Sequence, residues 1–517
     1  MKKYLKYLAI CTAGIMVIPA CKKSFLTVTP KGTALESAYY RNQAEAFTGL
    51  VAVYDVVGYQ GSNDVTKLNT MDAGSDDQIT GGGGPSDVNE LQLFSTNRHD
   101  ENQGPSGTLW SSSYQGVFRA NVLLSKLPGV PMDASLKARY ADESVALRAY
   151  FYFDLVRLFK NIPLILKPLA ANEIDNVTQV APSAVYTQIE NDLQSVITNK
   201  NIPNTINVTT DGGRLTMGAV HALLGKIYLY DKKYTQAAAE FAQVNGTPGQ
   251  LNATYGYQLL PSFASLWNVH NKFNSESILE IAHSSKSGGN WGCIACSEGN
   301  ILDIMTAPRN YVAIKPSAPD YVSGWSFFDF TPEFFNFIHY DPRNAATVAN
   351  LDSLVKAGVA SYSGSPTAYQ NTGFYLNKFM GHKADLSTGG GNFELNFAQD
   401  VYEIRLADTY LMEAEALIMG GGDLARAAAL MTAVHTRAYN DGVTHPLPAT
   451  MAALKNERRA ELAGEGHRWF DLVRWGDAPT VLAFKGFKAN HNEILPIPAN
   501  DLNATKLKQS KEWGGTL

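Results

Sequence analysis

The residues that first suggest chemistry lie between Asn456 and Gly476, in the stretch NERRAELAGEGHRWFDLVRWG. Arg, Glu, His and Trp occur there within about six helical turns, as in an active site, a nucleic-acid-binding helix or an ion-paired brace. Glu457 and Glu461 are four residues apart, so their charges share one side of a helix. Each can then pair with a basic residue close to it in the sequence. His467 has no nucleophile or second ligand close to it in the sequence. We therefore predict a structural brace that holds the C-terminal part on the helical scaffold and binds no ligand.

Familiar catalytic patterns are absent from the sequence. It contains no HExxH, no GxSxG and no P-loop. The GGGGP run at 81–85 lacks the strand, helix and Lys of a phosphate-binding loop, so we interpret it as a flexible loop. Asp72, Asp76 and Asp77 do not follow the EF-hand spacing, which favours a solvated acidic loop over a calcium site. We predict that the protein is not an enzyme and needs neither a metal nor a cofactor.

The N-terminus has the pattern of a targeting segment. Three lysines precede an apolar run at 8–18, which is too short to span a membrane comfortably. The following IPAC is similar to the lipobox of bacterial lipoproteins, with Cys21 as the residue that receives the lipid. We predict a lipoprotein signal peptide at 1–20 and a lipid anchor on Cys21, the alternative being an ordinary secretory signal that contains a Cys.

Two further cysteines, Cys293 and Cys296, stand in the sequence GCIAC. A zinc site would need a second pair of ligands, and a redox CxxC motif would open a helix. Gly and Asn around this motif indicate a loop instead. In an oxidising envelope the pair is either a local disulfide or two unreactive thiols, and we favour the disulfide.

The elements that must position these residues are mostly helical. Apolar residues recur at helical spacing in six segments: 144–159, 183–197, 216–230, 232–244, 402–419 and 424–438. The last four form two pairs similar to tetratricopeptide hairpins. In the second pair the apolar stripe begins at Ile404, and Asp423 is the predicted N-cap.

Long polar and aromatic segments separate these helices, at about 59–108, 284–330 and 359–399. Loops of this length in a compact protein are usually functional or disordered. The second is too aromatic for disorder, because its rings would remain unburied. The net charge of −5 also disfavours nucleic acid as a partner.

The mature chain resembles the SusD/RagB family of outer-membrane lipoproteins. The resemblance rests on the number and order of several motifs: FLTVTPKG, LWSSSYQGVFRANVLL, LRAYFYFDLVRLFKNIPLIL, SAVYTQIENDLQSVI, TMGAVHALLGKIYLY, DPR at 341–343, YEIRLADTYLMEAEAL, ERRAELAGEGHRWFDLVRWG and EILPIPANDL.

This resemblance implies a mainly α fold in which tetratricopeptide-like helix pairs form a scaffold with long loops and a few short strands. We expect one domain at 21–517, with an N-terminal part at about 21–230 and a C-terminal part at about 260–517. It also implies a non-catalytic outer-membrane lipoprotein, exposed on the cell surface, that binds oligosaccharides and delivers them to a SusC-like TonB-dependent transporter. A peptide-binding subunit of the RagB type and a surface polysaccharide hydrolase are the alternatives.

The resemblance places the ligand surface in two variable regions, here about 72–104 and 290–328. Sugars present apolar C–H faces to aromatic rings and hydroxyls to polar side chains. The aromatic candidates are Trp291, Tyr311, Tyr321, Trp325 and Phe327. The two tryptophans are preferred because glycine neighbours allow an exposed ring, whereas core packing is the alternative for every candidate. The polar candidates are Asp76, Asp77, Asn97 and Arg98, for which the alternative is a cap or a loop salt bridge.

Overall fold

The computed structural model describes residues 39–362 and 368–517. The predicted signal peptide at 1–20 and the predicted lipid attachment at Cys21 lie outside these ranges. The described part is mainly helical, as predicted. Its α-helices are α1 (Gln43–Ser62), α2 (Lys67–Gly74), α3 (Asn89–Ser95), α4 (Ser106–Lys126), α5 (Ala134–Phe159), α6 (Ala171–Ile174), α7 (Pro182–Asn199), α8 (Val208–Asp211), α9 (Met217–Tyr230), α10 (Tyr234–Asn245), α11 (Leu302–Thr306), α12 (Pro332–Ile338), α13 (Asn344–Thr347), α14 (Leu351–Lys356), α15 (Leu406–Met419), α16 (Leu424–Tyr439), α17 (Met451–Glu461), α18 (Arg468–Trp475), α19 (Ala478–Val481) and α20 (Ala499–Ala504).

The strands of the described ranges are short and pair antiparallel in twos. They are β1 (Ser277–Ile281), β2 (Val312–Ala313), β3 (Val348–Asn350), β4 (Ala360–Ser361), β5 (Phe374–Leu376) and β6 (Val401–Arg405). β1 pairs with β6, β2 with β4, and β3 with β5. The β1–β6 pair thereby joins the start of the 284–330 loop to the end of the 359–399 loop, whereas β2 and β5 lie inside these two loops.

The two predicted helix pairs are present and pack on each other. The first is α9 with α10, the second is α15 with α16, and α10 lies against α15. Gly225 allows the close approach of α9 to α10, because a Cβ there would lie 2.9 Å from Cδ1 of Phe241. Two hairpins far apart in the sequence therefore form one continuous apolar layer.

The start of the second pair differs from the prediction. Asp423 caps α16 as predicted, by accepting hydrogen bonds from the amides of Ala425 and Arg426. Ile404, however, lies in β6 and not on the helix, which begins at Leu406. β6 is buried along almost its whole length, so its apolar side chains adjoin those of α15, and Ile404 continues the helical spacing across the boundary.

The stretch at 456–476 is a brace, but the ion pairs of Glu457 and Glu461 are not local. Glu461 is fully buried and pairs with Arg405 at 2.6 Å, with Arg343 at 2.9 Å and with Arg437. Glu457 pairs with Arg343 at 2.7 Å. These arginines come from the DPR motif, β6 and α16, so the brace ties α17 to three separate segments. Neither glutamate uses the neighbour on its own helix that the spacing suggested.

Candidate functional site

Trp291 and Trp325 lie together on the surface although they belong to separate parts of the 284–330 loop. Their ring centroids are 5.9 Å apart and the ring planes are inclined by 32°. Trp291 is 43% exposed, and Trp325 is half-buried. The two preferred aromatic candidates thus form a shallow surface, which we call the tryptophan platform.

Trp325 is positioned by the segment that precedes α3. Residues 78–82 run antiparallel to 326–330, with bridges from Gln78 to Phe330 and from Gly81 to Phe327. On the opposite side, the Trp325 amide donates to the carbonyl of Ile304 in α11 at 2.9 Å. The backbone carrying Trp325 is therefore held from both sides.

The turn after Trp325 is strained. Ser326 and Phe328 have φ values of 58° and 62°, a left-handed conformation that costs L-residues free energy. Both are fully buried. The turn directs the ring of Phe327 inward, where it is 1% exposed, and leaves Trp325 at the surface. Phe327, an aromatic candidate, thus packs in the core and offers no face to a ligand.

The first half of the glycine run beside this turn is packed, contrary to our interpretation of the whole run as a flexible loop, whereas Gly83 is exposed. Gly81 and Gly82 are buried, with φ values of 70° and 87°. A Cβ on Gly81 would lie 2.2 Å from the carbonyl oxygen of Ser326, and one on Gly82 would lie 2.6 Å from Cζ of Phe327. Glycine is needed here because the two backbones approach so closely.

Trp291 is held where the 284–330 loop meets the 359–399 loop. Its amide donates to Oδ1 of Asn392 at 3.3 Å. Cys293 and Cys296 form a disulfide immediately after it, which is the alternative we favoured. The ring of Phe393, next to Asn392, is 40% exposed. Asn392 and Phe393 belong to the third long loop, where the sequence suggested no particular site residue.

Two polar residues that the sequence analysis missed lie beside the platform. Nη2 of Arg309 donates to the carbonyl of Trp325 at 3.2 Å, and the same guanidinium is 3.8 Å from Asp87. Asp87 in turn accepts a hydrogen bond from the amide of Gly83 at 2.7 Å. A charged donor and a carboxylate thus flank the aromatic surface. Both lie in the two variable regions, but nothing in their neighbouring residues marks them.

The polar candidates Asp76 and Asp77 belong to the brace instead of the platform. Arg468 binds Asp76 at 2.8 Å, and Arg459 binds Asp77 at 2.5 Å. Burial opposes the charge of Asp76, but the bonds and charge of Arg468 hold its pKa below the ordinary value. Burial, together with the Asp76 charge, raises the pKa of Asp77 to about 6. These two acids do not lie in a solvated loop, and their carboxylates are paired with arginines and so are not free to bind a ligand.

The remaining candidates bind partners other than the two tryptophans. Tyr311 and Tyr321 contact each other, with ring centroids 5.5 Å apart, and both are buried. Their hydroxyls donate to the carbonyl of Pro319 and to Oδ1 of Asn377. Asn97 donates to the carbonyl of Lys485, and Arg98 is exposed and bonded to Thr96.

A cleft of about 370 Å³ lies between α1 and β1. Its walls are mainly apolar, and Ser297 and Glu298 at the base of the Trp291 loop line one side. In 39–362 and 368–517, no group of three or more His, Cys, Asp or Glu is arranged to hold a metal ion. No helix within these two ranges has the length and apolar character needed to cross a membrane.

Comparison with known proteins identifies the fold. A solved structure described as a laminarin-binding SusD-like protein is 49% identical to this chain, with a TM-score of 0.86. The match covers 91% of this chain and 99% of the other. The chain belongs to the SusD family. The family model described as "SusD family" matches residues 276–513, and the model described as "Starch-binding associating with outer membrane" matches 51–229.

Other SusD-like proteins match over a similar length. Surface glycan-binding protein A from Bacteroides thetaiotaomicron, solved in complex with laminarihexaose, is 25% identical with a TM-score of 0.78. That match covers 90% of this chain and 98% of the other. SusD-like protein P25 from Formosa agariphila is 24% identical, over 93% of each chain. The family resemblance and the fold drawn from the sequence are therefore confirmed.

Proposed function

We propose that this SusD-like protein binds laminarin-type glucans, without hydrolysing them, at the tryptophan platform. The observation that carries the proposal is the pairing of Trp291 and Trp325 at 5.9 Å on the surface. Two adjacent indole faces match the apolar faces of neighbouring sugar units, and burial of such rings supplies most of the binding free energy.

The inclination of the rings favours a curved ligand. Coplanar rings suit a flat, straight chain, whereas planes inclined by 32° suit a chain whose successive sugars turn. The β-1,3 linkage of laminarin produces such a turn. Arg309 and Asp87 are placed to exchange hydrogen bonds with sugar hydroxyls beside the rings. The laminarin-binding relative at 49% identity supports the same class of ligand.

We further propose that the protein is a surface lipoprotein that passes its glycan to a SusC-like transporter. Support comes from the family model, whose description includes association with the outer membrane, and from the lipobox-like IPAC ending at Cys21. Cys21→Ser is expected to release the protein from the outer membrane in cell fractionation. Co-purification of a large β-barrel with the wild-type protein, lost in this variant, would support the partner.

Calorimetric titration tests the ligand. We expect laminarihexaose to bind more tightly than cellohexaose or maltohexaose. Trp291→Ala and Trp325→Ala should each weaken binding by about tenfold or more, because burying an aromatic ring is worth roughly 1.5–3 kcal/mol. Phe118→Ala is the control, since Phe118 is an exposed ring on α4. Unchanged affinity in both tryptophan variants would contradict the proposed site.

The same protein sample distinguishes the alternatives. Binding of peptides with no binding of any glucan would favour the RagB-type function. Steady release of new reducing ends from laminarin would show hydrolysis and overturn the non-catalytic function.

A further inference from the structure

The loop that carries Trp291 depends on one buried side chain, Asn396. This residue is 0% exposed and lies at the end of the third long loop. Its Oδ1 accepts hydrogen bonds from the hydroxyl of Ser287 and from the amide of Gly289, both at 3.0 Å. Its Nδ2 donates to the carbonyls of Gly289 at 2.9 Å and Asn392 at 2.6 Å. A side-chain amide offers two donors and one accepting oxygen with two lone pairs, so its capacity is fully used here.

These bonds reach Trp291 through Asn392. The amide of Asn392 donates to the carbonyl of Gly289 at 2.9 Å, while its side chain accepts from the Trp291 amide. The two loops approach so closely that a Cβ on Gly391 would lie 2.4 Å from the oxygen of Gly289. Asn396 therefore fixes both the chain before Trp291 and the residue that holds its backbone.

We propose that Asn396 is the positioning residue of the glycan site, which it serves by holding Trp291 beside Trp325 without contacting the ligand. This inference rests on the proposed function. Its physical reason is pre-organisation, because a ring already fixed in its binding position loses less conformational entropy when the ligand arrives. Ala at 396 would leave the Gly289 and Asn392 groups without their buried partner, and the loop would open to satisfy them with water.

A double-mutant cycle on laminarihexaose affinity tests the proposal. We expect Asn396→Ala to weaken binding by about tenfold in the wild-type background. In the Trp291→Ala background the same change should alter affinity by less than about twofold, since the ring through which it acts is already gone. A loss of equal size in both backgrounds, or no loss in either, would overturn the proposal.

Asn245→Ala is the matched control for a purely structural role. Asn245 is also buried, at 1% exposed, and bonds to Thr409 and Glu413 between α10 and α15. We expect it to lower the melting temperature while the affinity stays within about twofold of wild type. An equal loss of affinity in this variant would mean that Asn396 acts only through general stability and would overturn the proposal.

Amide hydrogen exchange gives a measurement that needs no ligand. In Asn396→Ala, the amides of Gly289 and Trp291 should exchange faster, whereas those of α9 and α15 should be unchanged. Unaltered exchange at Gly289 and Trp291 would overturn the positioning role. If the wild-type protein binds no glucan, the proposed function fails, and the exchange result still decides whether Asn396 fixes the loop.

Discussion

At the scale of single residues, His99 shows how burial sets a charge state. Its ring lies between Phe94 and Trp513, with centroids 5.0 and 5.2 Å away. It is 3% exposed, and neither ring nitrogen has a hydrogen-bond partner among the described residues. Burial, with a smaller contribution from the charge of His491, lowers the pKa of His99 to about 4. The folded protein therefore keeps this imidazole neutral at pH 5.

This pKa predicts lower stability in mild acid. In the unfolded chain the pKa is about 6.5, so between pH 6.5 and pH 4 the unfolded state binds the proton and the folded state does not. The free energy of unfolding should fall by about 2 kcal/mol from pH 7 to pH 5 on account of His99. Urea unfolding at the two pH values should show a smaller difference for His99→Leu than for wild type. His270→Leu, at an exposed side chain, should keep the wild-type difference; an unchanged difference in His99→Leu would refute the assignment.

Residue types in the sequence identified the platform but not its surroundings. Trp291 and Trp325 were preferred because their glycine neighbours allow an exposed ring, and both rings reach the surface. Asp76 and Asp77 looked equally suitable, yet their partners Arg459 and Arg468 lie almost 400 positions away and are set by the fold. Arg309 and Asp87 show the opposite case. The structure places them beside the tryptophans, but nothing in their local sequence distinguishes them from solvated charges. Local patterns thus reveal a residue's chemistry, while tertiary contacts decide whether that chemistry is free to act.

At the scale of elements, the glycine run beside Trp325 gives a prediction with an internal control. Gly81→Ala would place a Cβ 2.2 Å from the Ser326 oxygen and force an L-residue to a φ of 70°. We expect a loss of about 1–3 kcal/mol in stability and weaker laminarihexaose binding, because the Trp325 turn must move. Gly84→Ala, which meets nothing within 4 Å, should leave both unchanged. Thermal melting and titration of the two variants provide the comparison, and equal behaviour would contradict the packed role of Gly81.

Element boundaries show where sequence periodicity reaches its limit. The helices α7, α9, α10 and α16 begin and end within two residues of their predicted segments. The helix predicted at 144–159 ends as predicted, but α5 begins ten residues earlier, at Ala134. The pattern failed at Ile404, where β6 leads directly into α15 without a turn residue to mark the change. It also could not foresee β1, which forms only because β6 lies beside it. Regular structure that depends on a distant partner is therefore the part least accessible from sequence.

At the scale of the whole molecule, the brace connects the N-terminal and C-terminal parts of the chain. Arg459 and Arg468 form ion pairs with Asp77 and Asp76 in the N-terminal part. Glu461 forms ion pairs with arginines of the C-terminal half. Burial opposes ionisation of Glu461, but Arg437, Arg405 and Arg343 hold its pKa far below the ordinary value. Its charge is thus an obligatory part of the folded molecule.

We therefore expect the N-terminal and C-terminal parts to unfold together, as one domain. Scanning calorimetry should show a single transition for the wild-type protein. Glu461→Gln should lower the free energy of unfolding by about 3–5 kcal/mol, because removing one partner leaves buried charges uncompensated. Glu333→Gln, at an exposed glutamate on α12, should change it by less than about 0.5 kcal/mol. Two separate transitions in the wild-type protein would show that the parts are independent and that the brace does not unite them. One transition at a lower temperature in Glu461→Gln is the result expected if the brace holds the two parts together.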